Sequence, residues 1–330
     1  MKGSYWFKAK SKKVLFEFSI RRNITVIKGD SATGKTTLLR ILYEYLRIGR
    51  QSGYAVSTNA SFYVYIRDEV GRDWKDALYP LKNTVIFIEE NNEFVFTKEF
   101  ASYVKESGNY FVFVTRAPLK MLPYSIHEIY EIITDGKRTD IKESYHEFKE
   151  IYSNYPIIEN NKIQNVVTED SNSGYQFFEH VCKDNGLKCE TLNGKSNVFH
   201  YLNVHKNEKM LVIADGAAFG SEIDKVLWLI EKRENIALYL PESFEWLILS
   251  AGILKNSLVD KILDDPSEYV ECKEYFSWER FFTAVLIEET KDTYLAYVKK
   301  KLNQAYLSEN MIALILEQMK KIKLNWKKPF

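Results

Sequence analysis

Over the first 28 residues the apolar positions alternate or run in short blocks, and after that they recur at helical spacing. Residues 5–8, Val14–Ile20 and Ile24–Lys28 are rich in β-branched and aromatic side chains, which suits pleated strands. Arg21, Arg22 and Asn23 supply the turn between the last two. From Lys35 the period changes. Leu38, Leu39, Ile41, Leu42, Tyr45 and Leu46 form one stripe, which predicts an amphipathic helix stopped by Gly49. The change of period falls on residues 29–36.

Further strands are expected at 62–66, 85–88 and Tyr110–Val114, with a helix at 97–105 between the last two. Strands that are apolar throughout are covered on both faces, and their alternation with helices argues for a mostly parallel sheet. After an apolar block at 126–133 the chain turns polar. Tyr155, Pro156 and the run Glu159-Asn160-Asn161-Lys162 then make a linker. The pattern restarts with strand Asn165–Thr168, helix 175–185, strands 188–192 and 210–214, helix 221–233 and strand 236–240. From Ser277 it is helical, with Trp278, Phe281, Phe282, Val285 and Leu286 on one face and Met311, Leu314, Ile315 and Met319 on another. The expectation is an α/β protein with domains at 1–160 and 161–262 and a helical C-terminal region at 263–330.

Composition narrows the function only a little. With 330 residues the chain exceeds what one core usually holds, which agrees with a division near residue 160. Lys and Arg number 46 against 45 Asp and Glu, a net charge of +1, so bulk charge gives no argument for nucleic acid. The most apolar stretch, 246–254, is interrupted by Ser250 and Gly252 and falls well short of the roughly 20 residues of a membrane span. No apolar block follows the early lysines as a secretory signal requires. Cys182, Cys189 and Cys272 lack CxxC spacing, which points to reduced thiols and a cytoplasmic setting.

Gly29-Asp30-Ser31-Ala32-Thr33-Gly34-Lys35-Thr36 fits G-x-x-x-x-G-K-[ST] at every fixed position, between an apolar strand and an amphipathic helix. In such a loop the backbone N–H groups, including that of Thr37 at the helix start, turn inward around phosphate oxygens, and the helix amino terminus adds its positive end. Lys35 would neutralise the β and γ phosphates of ATP, and the Thr36 hydroxyl would hold Mg²⁺. The alternative is a plain glycine turn.

This segment resembles the Walker A of P-loop NTPases. The resemblance implies an acidic residue at the end of a nearby apolar strand, and Val85-Ile86-Phe87-Ile88-Glu89-Glu90 supplies it. Glu89 stands where the family's Mg²⁺-binding Asp would be, and Glu90 where the family's water-polarising Glu would be. One extra methylene at Glu89 moves the carboxylate by about 1.5 Å, so slow hydrolysis is expected. The strand Phe111-Val112-Phe113-Val114 ends in Thr115-Arg116, where ABC-type ATPases carry Thr-His and the His senses the γ-phosphate. Arg116 is thus a candidate charged sensor, or a solvated strand-end arginine. The strands before the loop resemble the amino-terminal lobe of ABC, RecF and SMC-type ATPases. The short span to Glu89 leaves no room for the signature lobe that completes a partner's site.

In the second half Glu169 follows Val166-Val167-Thr168 and Asp215 follows Leu211-Val212-Ile213-Ala214. Carboxyl ends of parallel strands converge on one crevice, so both are candidate Mg²⁺ ligands. The layout resembles a Toprim domain, which OLD-type nucleases join to an ABC-like ATPase in this order. Ala217 stands where the second Asp of the Toprim pair should be, and two carboxylates are thin for paired-metal cleavage. Asp170, Glu222 and Asp224 are nearby substitutes, the last two on a helix. An ordinary Rossmann-like domain, a degenerate Toprim used for binding and an active nuclease all stay open. Ser171-Asn172-Ser173-Gly174 is either a phosphate cradle or a helix cap.

Lesser signals are weaker. His200 and His205 lack a partner at ligand spacing. Lysines 299–301 and 320, 321, 323, 327 and 328, interleaved with Tyr294, Tyr297 and Trp326, read as solvated helix faces or as a nucleic-acid track. Trp6 or Phe16 would stack on adenine, or pack in the core. Taken together, the expected function is ATP binding and hydrolysis coupled to a Toprim-like, Mg²⁺-dependent domain acting on nucleic acid, in defence against mobile elements. The alternative is a non-catalytic ATP switch whose second domain docks a protein partner, with oligomerisation open and no membrane involved.

Overall fold

The computed structural model describes residues 1–29, 33–66, 73–135, 143–152, 163–233 and 235–319. The chain divides into two compact units. One comprises Met1–Asn154 together with Asp265–Phe276, the other Tyr155–Asp264 together with Ser277–Phe330. The residues read as a separate helical C-terminal region are therefore shared between the two units. The linker at 159–162 and the lysines from 320 onward lie outside the described residues.

The first unit is built on a nine-stranded sheet. Its strands are β1 (Tyr5–Lys10), β2 (Val14–Ile20), β3 (Ile24–Lys28), β4 (Ala55–Thr58), β5 (Ser61–Tyr65), β6 (Thr84–Ile88), β7 (Tyr110–Val114), β8 (Ile129–Asp135) and β9 (Ser144–Glu150). In space they run β4-β1-β2-β9-β8-β3-β7-β6-β5. β3, β5, β6, β7 and β8 are parallel, and β1 and β2 pair antiparallel. Every residue of β3, β6 and β7 is buried, as continuous apolar strands covered on both faces must be. Helix α1 (Lys35–Ile48) shares one core with Val85, Phe87, Val112 and Val114 through its Leu38, Leu39, Ile41 and Leu42. The opposite face of β7 presents Phe111 and Phe113, whose rings meet Phe100 of α3 (Lys98–Glu106) edge-on. Trp74 of the short helix α2 (Trp74–Leu78) packs on Phe100 as well.

Two strands and the short helix α2 of this unit are absent from the sequence pattern. β4 is short and half-exposed, and β9 reads SYHEFKE, mostly polar. Its partners give β9 its strand conformation: β8 on one side antiparallel and β2 on the other parallel.

The second unit holds a parallel four-stranded sheet in the order β11-β10-β12-β13, made of β10 (Asn165–Thr168), β11 (Lys188–Thr191), β12 (Met210–Ile213) and β13 (Ile236–Tyr239). Helices α4 (Ser173–Asp184), α5 (Val198–Val204), α6 (Ile223–Ile230), α7 (Phe244–Ser250), α8 (Ser257–Asp264), α9 (Trp278–Thr290) and α10 (Glu309–Glu317) accompany it. All four residues of β10, β12 and β13 are buried, and β11 at the edge is not. An α/β fold with a large, mostly parallel sheet is thus present. Lysines 299–301 lie in turns between α9 and α10, not on a helix face as expected.

Candidate functional site

Because β3, β6 and β7 are parallel neighbours, whatever follows each of them emerges at the same edge of the sheet. Those followers are Gly29, Glu89-Glu90 and Thr115-Arg116. β7 lies between the other two strands, so Arg116 stands beside the acids of β6 on one side and the loop after β3 on the other. Parallel strands feeding one crevice is the usual architecture for binding at the carboxyl ends of an α/β sheet.

Of the glycine-rich loop, Gly29 and residues 33–37 are described, while Asp30, Ser31 and Ala32 lie outside the described residues. Gly29 (φ +122°) and Gly34 (φ +97°) take backbone conformations that L side chains rarely adopt. A Cβ on Gly34 would also come within 3.3 Å of Phe16. The Lys35 ammonium donates to Gly29 O at 2.6 Å and Thr33 Oγ1 at 3.0 Å, which sets its charge inside the loop. Lys35 is buried, whereas Thr36 and Thr37 face solvent at the first turn of α1.

A cavity of about 480 Å³ opens over this loop. Its lining includes Lys35, Thr36, Glu90 and Arg116 together with Val14, Phe16 and His146. The size is that of a small-molecule cleft. Glu90 Oε1 lies 3.4 Å from Arg116 Nε. Glu89 sits beside it, with its N–H bonded to Tyr65 O at 3.1 Å and its carbonyl accepting from Asn92 Nδ2 at 2.7 Å, and it is not among the lining residues. The Thr36 hydroxyl and the Glu90 carboxylate are hard oxygen donors of the kind Mg²⁺ prefers.

His146 was not singled out in the sequence, because it sits in the polar β9. It is the register partner of Phe16 across β2 and β9, and the two rings stack at 4.8 Å and 21°. Its Nδ1 pairs with Thr134 Oγ1 at 3.2 Å. Burial lowers its pKa, which favours the neutral ring at neutral pH. Phe16 is both core and cavity wall, only 1% exposed. Trp6 is 46% exposed and does not line the cavity.

The second unit gathers its acids at the equivalent edge. Glu169 follows β10, Asp215 follows β12, and the Asp215 N–H donates to Glu169 Oε2 at 3.2 Å. Gly216 has no room for a side chain, since a Cβ would meet Leu240 O at 2.8 Å. Two acids that the strand-end pattern overlooked join them: Glu245 in the first turn of α7 and Glu279 in the first turn of α9. Lys299 Nζ reaches Glu279 at 2.5 Å and Glu245 at 3.6 Å. Tyr297 OH donates to Glu245 at 2.8 Å and is in close contact with Ser173 Oγ. Lys195 donates to Ala218 O at 2.5 Å.

Burial pushes Glu169 up to about 7. Asp215 is also well above the usual carboxylate range, from burial first and then from Glu279, Glu169 and Glu245. Burial alone would lower Lys299, but the Glu245 and Glu279 carboxylates outweigh it and hold the ammonium above its ordinary value. The space among Glu169, Asp170, Asp215 and Glu245 is about 20 Å³, enough for a single water-sized occupant. Among the described residues no three His, Cys, Asp or Glu side chains are arranged to hold a metal ion. The carboxylates suit Mg²⁺ by type, while their arrangement does not suit a pair of ions.

The segment at 171–174 is closely packed. A Cβ on Gly174 would come within 3.2 Å of Phe244, the Ser173 N–H donates to Lys299 O at 2.9 Å, and Asn172 makes no capping bond. His200 and His205 line an open groove of about 630 Å³ with Tyr175, Cys189 and Tyr201, and the His205 ring packs on Tyr201 at 4.0 Å, tilted by 34°. Glu222 flanks α6 and pairs with Lys225. The three cysteines are free thiols. No helix among the described residues is long and apolar enough to cross a membrane. Comparison with protein-family models, with curated proteins and with solved structures returns no match.

Proposed function

We propose that the first unit binds ATP with Mg²⁺ and hydrolyses it slowly, in the manner of the P-loop NTPases its loop resembles. The observation that carries this reading is the convergence, in one cavity of about 480 Å³, of Lys35, Thr36, Arg116 and Glu90 from three different strand ends. An anion-binding loop, two cations and one carboxylate are the parts that phosphoryl transfer asks for: positioning, charge neutralisation and orientation of water. Lys35 and the loop N–H groups would hold the β and γ phosphates, and Glu90 would accept a hydrogen bond from the attacking water. Mg²⁺, held by the Thr36 hydroxyl with Glu89 or Glu90 in its water shell, would neutralise charge on the transferring group. Phe16 and His146 offer a ring surface for the base.

For the second unit we favour a Toprim-like acidic site with room for at most one water-sized occupant, such as a single cation stripped of most of its water, that meets a nucleic-acid phosphate, in place of a paired-metal nuclease. The single small space among the carboxylates supports this. Coupling between nucleotide state and this unit, and a role in defence against mobile elements, belong to the same proposal. The second reading, a non-catalytic switch that docks a protein partner, is favoured by Lys299, which already pairs with Glu245 and Glu279.

The test is Mg²⁺-dependent ATP turnover by the full chain, expected to disappear in Lys35→Ala. Absence of specific nucleotide binding at millimolar ATP overturns the reading of the first unit. For the second, Glu169→Ala and Asp215→Ala should abolish any cleavage of DNA or RNA. Cleavage that persists in both variants removes the metal role of these acids.

A further inference from the structure

Arg116 and Glu90 are expected to serve different groups, one the γ-phosphate and the other the attacking water, yet in the structure they are bound to each other. Both stand just past adjacent parallel strands, β7 and β6, which lie about 4.8 Å apart. Arg116 Nε lies 3.4 Å from Glu90 Oε1, and the side chains are 55% and 30% exposed. An ion pair in contact with solvent is weak. A phosphate carries more charge than a carboxylate and matches the guanidinium fork, so it competes well for the same arginine. Lys35 and Thr36 line the same cavity, so a phosphate chain held by the loop would bring its terminal group to this pair.

We infer that Arg116 is a positioning residue shared between two anions: it holds Glu90 until a γ-phosphate draws it away, and so releases the Glu90 carboxylate only when a triphosphate is bound. This rests on the triphosphate reading of the loop and adds to it the step that ties base availability to the γ-phosphate. A diphosphate, ending one phosphate short, leaves the pair closed. Glu90 in turn lowers the preference for triphosphate, since the two anions compete for one guanidinium.

The experiment is a double-mutant cycle on the full chain, read as the ratio of affinities for the β,γ-imido analogue of ATP and for ADP, measured by calorimetry. Arg116→Ala should lower the ratio about tenfold, the worth of one charge-assisted contact to phosphate. Glu90→Gln, which keeps the shape and removes the charge, should raise it about threefold to tenfold. In the double variant Glu90→Gln should add nothing. Arg116→Lys should fall between wild type and Arg116→Ala, a rescue that a purely structural role would not give. An equal rise for Glu90→Gln with and without Arg116 overturns the inference, because Glu90 then acts on the phosphate directly. An Arg116→Ala ratio equal to wild type also overturns it. Failure of both nucleotides to bind the wild-type chain overturns the triphosphate reading, and the inference with it. Thermal melts of Glu90→Gln and Arg116→Lys, both close in size to the native residues, show that the comparison is made between folded proteins.

Discussion

The two units use the same device, an acid just beyond a buried parallel strand, and arrive at opposite electrostatics. In the first unit Glu90 stands at an open cavity of about 480 Å³ that also contains Lys35 and Arg116. In the second unit Glu169 and Asp215 are half-buried around a space of about 20 Å³ and are compensated by this chain's own lysines. The first arrangement exposes positive charge to whatever enters, whereas the second satisfies its charges internally. A strand-end acid therefore carries little functional information until its exposure and its neighbours are known. Cost explains the difference. A carboxylate near solvent can stay ionised without help, while a buried one needs a partner or a proton.

The largest effect expected from breaking this contrast is at Lys35. Lys35→Ala should lower ATP affinity at least about a hundredfold, because a phosphate loop without its lysine leaves the β and γ charges unneutralised. Equilibrium binding of labelled ATP measures it, and an unchanged affinity would remove the basis for separating the two sites by ligand.

Next is Lys299→Met. It strands Glu245 and Glu279 near Asp215, and loss of one partner from a largely buried network costs about 3 kcal/mol, which denaturant unfolding should register. The exposed pair Lys8 with Glu17 gives the contrast, since Lys8→Ala should cost under about 1 kcal/mol.

Glu169 offers a pH test. Its folded pKa is raised, to about 7 from an ordinary 4.5. Between those values the folded protein keeps a proton that the unfolded chain releases, so stability is greatest below the unfolded pKa and falls as pH rises toward 7. Glu169→Gln should flatten that fall and stabilise the protein at pH 8, by on the order of 2 kcal/mol. Unfolding followed from pH 4.5 to 8 checks it, and a wild-type stability that rises over this window contradicts the burial argument.

A smaller effect on ligand binding is expected at His146. His146→Ala should weaken ATP binding about tenfold, a stacking contribution, and leave inorganic tripolyphosphate binding unchanged. Equal losses for both ligands would make His146 a structural support of the loop and not part of a base wall.

Much of the first site is legible in the chain. Gly29, Gly34, Lys35 and Thr36 declare themselves because G-x-x-x-x-G-K-[ST] sets fixed residues at fixed spacing, and Glu89, Glu90 and Arg116 follow from counting to the ends of apolar strands. His146 is not legible, because β9 is polar and becomes a strand only through its pairing with β2 and β8. In the second unit Glu169 and Asp215 can be found by the same counting. Glu245, Glu279, Tyr297 and Lys299 cannot, since they start helices or lie in turns far along the chain and meet only when it is packed. Lys299 in particular reads as part of a basic surface run and is in fact bound between two carboxylates.

What the sequence determined by itself is local: which segments are strand or helix, where the chain must turn at glycine, and one loop that fits G-x-x-x-x-G-K-[ST]. Those follow from backbone sterics and from the periodicity of burial, which depend on near neighbours in the chain. Tertiary structure alone decided which strand lies between β3 and β6, that Arg116 meets Glu90, and that the acids of the second unit are enclosed with lysines. Charge interaction depends on distance and on exclusion of water, and both are set only when remote segments pack together.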